Sequence, residues 1–219
     1  MDIIKRWFER KPPKTKDKNI LSEAYNTKYG NYDYTQDSRS VDKTFLDIFT
    51  NSISADDFEN VVICGANSGY EVDILQKIKP SVKITAVDIS NVSLQKLHTH
   101  FPDVNFLHED LENLKGIKSK AFDLYISLRA VHSSNIDVDK AIKEAVRITK
   151  NKIVISVSNG YVIDGQLVKG MYDYDTETIN SEKPLVVRDK ISKLLNELDW
   201  ETISQESDAE IFIVAKPNK

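Results

Sequence analysis

The sequence predicts an α/β fold in which helices cover both faces of a mostly parallel sheet. Short apolar segments alternate with amphipathic segments from about residue 60 to residue 200, which is the pattern of successive strand–helix units. The last two apolar segments, "WETISQES" and "AEIFIVAKP", are separated by Asp208 alone. Because a connection this short joins only antiparallel strands, the sheet is expected to end in an antiparallel hairpin.

The first 18 residues are predicted to form a flexible basic arm. Residues 1–20 carry seven Lys or Arg against three Asp or Glu, a net charge of +4, and "RKPPKTKDK" has no apolar period. Such an arm could contact nucleic acid or an acidic membrane surface, but a mobile terminus is the preferred interpretation. Residues 19–219 are predicted to form one domain, with residues 19–55 as a helical cap.

Composition is typical of a globular protein, with 219 residues of which 40% are hydrophobic and 29% charged. No apolar run approaches the ~20 residues that span a bilayer, and the first residues lack a signal-peptide core. We therefore expect a cytoplasmic protein without stable membrane insertion. The single cysteine, Cys64, lies within an apolar segment and is interpreted as a core thiol. No metal site is expected, because the histidines show no ligand spacing.

The segment Val61 to Leu75, "VVICGANSGYEVDIL", reads as a buried strand, a glycine turn and an amphipathic helix. Such a turn places backbone N–H groups and a helix N-terminus above the strand. Glycine also permits a close approach, since it has no Cβ. A bound cofactor is the natural explanation, although ordinary turn glycines are an equally good interpretation of this segment alone.

Acids end the next two predicted strands. Asp88 ends "KITAVDIS" and Asp110 follows "VNFLHE", and both should lie at the same edge of the sheet as the glycine turn. Asp88 is 19 residues after Gly69, close to the ~20 expected for an acid that binds ribose hydroxyls. Each acid could instead cap the helix that follows, but their joint placement favours a ribose-containing cofactor.

Dinucleotides and adenosyl cofactors both contain ribose, and the turn favours the second class. A dinucleotide fingerprint requires G-x-G-x-x-G, whereas Asn67 stands at the middle glycine here. Glu71 adds a negative charge to the first turn of the helix, which a pyrophosphate would not tolerate well. A nicotinamide-dependent oxidoreductase is therefore a weaker alternative.

The rest of the alternation follows in order. "AFDLYISL" is the fourth strand, "DVDKAIKEAVRIT" a helix, "KIVISVS" the fifth strand, and "RDKISKLLNEL" the helix before the hairpin. Between the fifth strand and that helix, residues 160–182 form either a substrate-covering insertion or an ordinary long connection. The first is favoured, because loops of this length are usually functional.

Four segments resemble the class I S-adenosylmethionine-dependent methyltransferases, in order along residues 60–216: "CGANSG", "AVDIS", "LHEDLENL" and "FDLYISLRAVH". The resemblance implies a doubly wound seven-stranded sheet of order 3-2-1-4-5-7-6, with strand 7 antiparallel and S-adenosylmethionine as cofactor. Two positions depart from the common pattern, since Ile63 stands where many members have an acid and Asn67 where they have glycine.

The resemblance also implies roles for particular residues. Gly65 and Gly69 would shape the turn beneath the cofactor, Asp88 would hold the ribose hydroxyls, and Asp110 would lie near the adenine amine. The full set of predicted cofactor-binding residues is Gly65, Asn67, Gly69, Asp88, Ile89, Asp110, Leu111 and Leu128.

Predicted acceptor-binding residues come from outside these segments. His132 has a suitable pKa for a general base and follows the fourth strand. Arg129 could bind a carboxylate or phosphate, although a surface charge is the commoner role. Tyr25 and Tyr29, with Tyr32 and Tyr34, could line the site beside the sulfonium. Packing against the sheet is the preferred interpretation for most of these rings.

The predicted function is methyl transfer to the O, N or C atom of a small molecule. The sequence after the fourth strand, "SLRA", lacks the N-P-P-Y or D-P-P-Y motif of base-amino methyltransferases, and no cysteine is placed there for cytosine methylation. No basic stripe is evident, so no nucleic-acid partner is expected. A protein acceptor, the oligomeric state and a non-catalytic cofactor-binding or regulatory role with the same fold remain open.

Overall fold

The computed structural model describes residues 15–30, 42–67, 69–163, 166–173 and 178–218. Its helices are α1 (Lys18–Tyr29), α2 (Lys43–Ser54), α3 (Tyr70–Ile78), α4 (Asn91–His100), α5 (Val138–Ile148) and α6 (Lys183–Glu197). Its strands are β1 (Asn60–Cys64), β2 (Lys83–Asp88), β3 (Asn105–His108), β4 (Phe122–Leu128), β5 (Thr149–Ser158), β6 (Gly160–Ile163), β7 (Gln166–Lys169), β8 (Met171–Asp173), β9 (Thr178–Asn180), β10 (Trp200–Glu206) and β11 (Glu210–Pro217).

The main sheet has seven strands in the order β3-β2-β1-β4-β5-β11-β10. Strands β1 to β5 pair in parallel, while β11 pairs antiparallel with both β5 and β10. This order confirms the predicted fold class, including the terminal hairpin. The parallel strands place their carboxyl ends at one edge, which we call the carboxyl edge of the sheet.

Two apolar clusters lie on opposite faces of the sheet. Along β1, Val61 and Ile63 join one cluster with α2 and α3, while Val62 and Cys64 join the other with α5 and α6. Successive strand side chains point to opposite faces, so a strand buried on both sides is apolar throughout. The short apolar runs of the sequence therefore correspond to central strands.

Most helices begin with a side-chain cap. The carboxylates of Asp17, Asp42 and Asp137 accept backbone N–H bonds at the starts of α1, α2 and α5, and the Ser90 hydroxyl does the same for α4. Helix α3 differs, because it begins after Gly69 without a side-chain cap. The backbone before α3 is shaped instead by the glycine turn.

The first helix begins at the last residue of the predicted N-terminal arm. Lys18, the predicted end of the arm, is the first residue of α1, and Asp17 forms the cap of that helix. The rest of the predicted arm up to residue 14, and also Tyr32 and Tyr34, lie outside the described residues. The function of the arm stays a prediction.

Residues 160–182 contain two small hairpins that the sequence did not predict. Strands β6 and β7 pair with each other, as do β8 and β9. The Asn159 N–H donates to Ala209 O at 2.7 Å, and the Gly170 N–H donates to Asn159 O at 2.8 Å. These bonds hold the segment against the start of β11, at the carboxyl edge of the sheet.

Cys64 is a buried free thiol at the end of β1. Burial raises its pKa far above the ordinary value, and the Tyr125 hydroxyl lies within hydrogen-bond reach of the sulfur. The thiol is therefore inert in the folded protein, as predicted for a core cysteine. In the described part of the chain, no helix combines the length and apolar character that crossing a membrane requires.

Candidate active site

The glycine turn follows β1 and has left-handed backbone at three described positions. The φ angles of Gly65, Asn67 and Gly69 are +73°, +46° and +107°. Asparagine tolerates this region better than most residues, which explains how Asn67 replaces a glycine without loss of the turn. The Gly65 N–H donates to Val87 O at 2.8 Å, so the turn is tied to β2.

Close contacts explain why two of these positions are glycine. A Cβ on Gly65 would lie 2.4 Å from the Cβ of Ala130, and a Cβ on Gly69 would lie 2.6 Å from the Phe101 ring. The turn is thus packed against the segment after β4 and against the end of α4. The structure shows that protein contacts alone require glycine here, whatever ligand lies above.

Asp88 ends β2 directly beside the turn. Its Oδ2 accepts from the Asn67 N–H at 2.9 Å, and its Oδ1 accepts from the Ser90 N–H at 2.8 Å. Burial raises the pKa of Asp88, and these bonds oppose the increase. The backbone of Ile89 is a third donor, and a carboxylate accepts about four hydrogen bonds, so Asp88 keeps limited capacity for a ribose hydroxyl. The position and capacity of Asp88 fit the predicted cofactor.

Asp110 lies after β3 at the same edge. Its Oδ1 accepts from the Glu112 N–H at 3.1 Å, and its Oδ2 forms an ion pair with Lys18 at 3.0 Å. A carboxylate here suits an exocyclic amine, but in this structure the amine is that of Lys18.

The three apolar residues predicted to contact the cofactor differ in burial and in the face of the sheet on which they lie. Ile89 is half-buried beside Asp88, and its carbonyl accepts from Ser22 Oγ at 2.7 Å. Leu111 and Leu128 are buried in the two core clusters on opposite faces of the sheet. Their contact with a cofactor stays a prediction.

Arg129 is held by an acid from the far end of the chain. Its φ is +58°, its Nε lies 2.7 Å from Glu210 Oε1, and its Nη2 donates to Ala209 O at 3.3 Å. Glu210 is fully buried and also accepts from the Ser156 hydroxyl. The guanidinium is therefore engaged with the protein, which leaves less of it to bind an anionic acceptor.

His132 lies close to this ion pair. The side chain is half-buried, its Nδ1 is fully buried, and the backbone of Ser156 lies within hydrogen-bond reach of the imidazole. Burial lowers the pKa of His132 to about 4, and the positive charge of Arg129 adds to the decrease. The imidazole is thus neutral at pH 7 and accepts a proton less readily than an ordinary histidine.

Tyr25 and Tyr29 stack on each other at the inner side of α1, with ring centroids 5.8 Å apart and an interplanar angle of 4°. The Tyr25 hydroxyl lies 3.1 Å from Ser133 Oγ, in the segment after β4. Burial raises the pKa of Tyr25, and the nearby charge of Asp88 adds to the increase. Tyr25 therefore lies between the ends of β2 and β4, and its predicted contact with the acceptor stays a prediction.

Sequence reasoning missed two groups of residues at this edge. Lys18, Ser22 and Asn26 contact the strand ends, and their spacing of four is a helical signal that could have been recognised. Glu210 gave no comparable signal. Only the antiparallel pairing of β11 with β5 brings it next to Arg129.

Comparisons with known proteins agree with this geometry. The methyltransferase domain family matches residues 62–155. A SAM-dependent methyltransferase from Aquifex aeolicus shares 14% identity at a TM-score of 0.59, over 85% of this chain and 99% of that one. No curated protein matches the sequence.

Two further solved structures widen the range of functions associated with the fold. One is the Burkholderia thailandensis 1,6-didemethyltoxoflavin-N1-methyltransferase with 1,6-didemethyltoxoflavin and S-adenosylhomocysteine bound. It shares 14% identity at a TM-score of 0.60, over 92% of this chain and 88% of that chain. The other is the [4+2]-cyclase SpnF, with 12% identity, a TM-score of 0.63, and coverage of 92% and 97%.

At these identities the likeness to solved structures shows the fold. S-adenosylmethionine is the cofactor that the matching domain and this fold imply. Residues 62–155 match the methyltransferase domain family, and the sheet has the strand order of the class I methyltransferase fold.

Proposed function

We propose that this protein is an S-adenosylmethionine-dependent methyltransferase that acts on a small molecule. The observation that carries the proposal is the direct bond between the glycine turn and the acid of β2, from the Asn67 N–H to Asp88 Oδ2 at 2.9 Å. It joins the two cofactor-binding elements of the class I fold at the carboxyl edge. Asp110 lies at the same edge, after the neighbouring strand.

Named residues have suitable chemistry for each part of the cofactor. Asp88 would accept the ribose hydroxyls, Asp110 the adenine amine, and the turn from Gly65 to Gly69 would lie under the methionine end. When bound, the cofactor supplies a methyl group on a sulfonium sulfur. The protein contributes alignment and the exclusion of water.

Charge at the start of α3 supports this cofactor over a dinucleotide. Glu71 and Asp73 both lie in the first turn of α3, and Glu71 is buried. A helix N-terminus that receives a pyrophosphate should not carry two carboxylates, since like charges would face each other. A sulfonium is a cation and meets no such repulsion.

His132 is the proposed general base for acceptors that must lose a proton. Its pKa of about 4 keeps the imidazole neutral near pH 7 but makes it a weaker base than an ordinary histidine, so the proposal rests on its position after β4. Arg129 and Glu210 would position this part of the site rather than bind the acceptor directly. The small-molecule assignment is supported by the Burkholderia relative of the same fold, which holds 1,6-didemethyltoxoflavin.

Calorimetry with S-adenosylmethionine, S-adenosylhomocysteine and NAD tests the cofactor. We expect micromolar binding of the two adenosyl compounds, and Asp88→Ala should weaken it at least tenfold, since a charge-assisted hydrogen bond contributes ~1.5 to 3 kcal/mol. Asp103→Ala, at an exposed position after α4, is the matched control and should bind like the wild type. Binding of NAD but not of S-adenosylmethionine would refute the assignment.

A second experiment tests catalysis. The protein should transfer a radiolabelled methyl group from the cofactor to a component of a small-metabolite pool. Cofactor binding without transfer to any component of a broad pool would instead favour the non-catalytic alternative.

A further inference from the structure

Helix α1 presents a polar face to the carboxyl edge of the sheet. Lys18, Ser22, Tyr25, Asn26 and Tyr29 recur at the helical period and lie on one side of the helix. Leu21 is the buried apolar residue of α1, so polar contacts carry much of its attachment.

The first contact of this face is with the segment after β3. Lys18 Nζ lies 3.0 Å from Asp110 Oδ2 and 2.7 Å from Glu112 Oε1. Burial opposes the charge of Lys18, but the bonds to Glu112 and Asp110 outweigh it and raise the pKa of the amine. A cationic amine therefore occupies the carboxylate that the adenine amine is predicted to use.

The next contacts reach the end of β2 and the start of α4. Ser22 Oγ donates to Ile89 O at 2.7 Å, and Asn26 Oδ1 accepts from Ser90 Oγ at 2.8 Å and from the Val92 N–H at 3.2 Å. These bonds hold α1 across the two residues that follow Asp88.

Tyr25 completes the contact on the far side of the cleft, because its hydroxyl lies 3.1 Å from Ser133 Oγ after β4. Helix α1 thus bridges the ends of β2, β3 and β4. These are the strand ends between which the cofactor is expected to lie.

We propose that α1 is a gate over the cofactor cleft and that Lys18 is its latch, competing with the cofactor for Asp110. The proposal rests on the proposed function, since it requires an adenosyl ligand at this edge. Asp110 would have to release Lys18 in order to accept from the adenine amine, while Lys18 could keep its bond to Glu112.

The latch is weak enough to open. The side chains of Lys18, Asp110 and Glu112 keep 31%, 20% and 12% of their surface exposed, and partly solvated ion pairs stabilise a structure only modestly. Salt screens such pairs further. Substitution of Lys18 and changes in ionic strength should therefore both affect closure of the gate.

The test compares Lys18→Met with Lys16→Met in the full chain. Methionine is a good helix former and keeps the length of the side chain without its charge. Lys16 is exposed two residues earlier, outside the helix, and provides the matched control. The rate and affinity of S-adenosylmethionine binding are measured by stopped flow and calorimetry, and thermal melts verify that both variants fold.

We expect Lys18→Met to bind S-adenosylmethionine about three- to tenfold faster and tighter, the range for losing one or two partly exposed ion pairs. Lys16→Met should match the wild type. Raising the salt from about 0.05 to 0.5 M should reduce the difference between Lys18→Met and the wild type. Amide exchange across residues 18–29 should also be faster in Lys18→Met without ligand.

Unchanged binding in Lys18→Met would overturn the latch while leaving the cofactor assignment intact. Weaker binding of S-adenosylmethionine by Lys18→Met would also overturn the latch, because it would show that Lys18 stabilises the bound cofactor instead of competing with it. Absence of binding in the wild type and both variants would overturn the proposed function and the gate together.

Discussion

The two halves of the carboxyl edge are built in different ways. The proposed cofactor half, formed by Gly65, Asn67, Gly69, Asp88 and Asp110, is held mainly by bonds between the turn after β1 and the neighbouring strand β2, from the Gly65 N–H to Val87 O and from the Asn67 N–H to Asp88 Oδ2. The proposed acceptor half, formed by Arg129, His132, Ser156 and Glu210, depends on a side-chain ion pair between residues 81 positions apart. Local geometry thus fixes the first half, whereas the second exists only once the whole sheet has formed.

The largest change in the free energy of unfolding is expected when the charge of Glu210 is removed. Glu210→Gln should lower the free energy of unfolding by about 2 to 4 kcal/mol, because the partly buried Arg129 loses its counter-ion. Urea unfolding at pH 7 measures the change. Glu201→Gln, at an exposed position of β10, should change it by less than about 0.5 kcal/mol. Equal effects of the two substitutions would show that the ion pair does not hold the acceptor half.

The backbone of the cofactor half is tested by Gly65→Ala. Its added Cβ would lie 2.4 Å from the Cβ of Ala130 at a φ of +73°, so we expect a loss of about 2 to 3 kcal/mol. Gly116→Ala is the control, because its Cβ would meet only the flexible end of Glu109. Thermal melts of both variants measure the difference. If Gly65→Ala were as stable as Gly116→Ala, the turn would be more adaptable than its contacts indicate.

The pH dependence of stability tests His132. The folded-state pKa is about 4, below the ordinary value of 6.5, so the unfolded chain binds a proton between these values that the folded protein does not. Stability should therefore fall as the pH is lowered from 6.5 to 4, by about 1 to 2 kcal/mol for this partly exposed group. His132→Gln should remove that part of the decline, with the pH 8 value as internal reference. A parallel decline in the variant would contradict the low pKa.

The smallest effect is expected for Asn67→Gly. The φ of Asn67 is +46°, which glycine adopts freely, and the backbone N–H that bonds Asp88 is retained. Stability should change by less than about 0.5 kcal/mol, since the side chain loses only its 3.2 Å contact with the Ser93 hydroxyl. Cofactor affinity should stay within about threefold of the wild type when measured by calorimetry. A larger loss would give the Asn67 side chain a role in binding.

The difference between the two halves of the carboxyl edge also explains which parts of the fold and of the site could be predicted from the sequence. The terminal hairpin and the placement of Asp88 and Asp110 follow from short patterns, in which a strand ends in a turn or an acid, whereas the strand order was implied by the family resemblance. Glu210 could not be predicted, because nothing near it in the sequence marks it as the partner of Arg129. The hairpins within residues 160–180 were missed for a similar reason, since their strands are three or four residues long.

Helix α1 could be predicted only in part from the sequence. Its polar face has a clear period from Lys18 to Tyr29, but interpretation of Lys18 as part of a basic arm separated it from Ser22 and Asn26. The net positive charge of residues 1–20 does not mark where the first helix begins. The cap formed by Asp17 and the ion pair with Asp110 show where the domain begins.

The buried thiol at the end of β1 has a practical consequence. Cys64 is the single cysteine of the chain and is enclosed by the core, so a thiol reagent can reach it only in molecules that have opened. The labelling rate therefore reports how often the central strand is exposed, without an engineered probe. Added cofactor should slow the labelling if it stabilises the closed sheet, which provides a binding assay that needs no knowledge of the methyl acceptor.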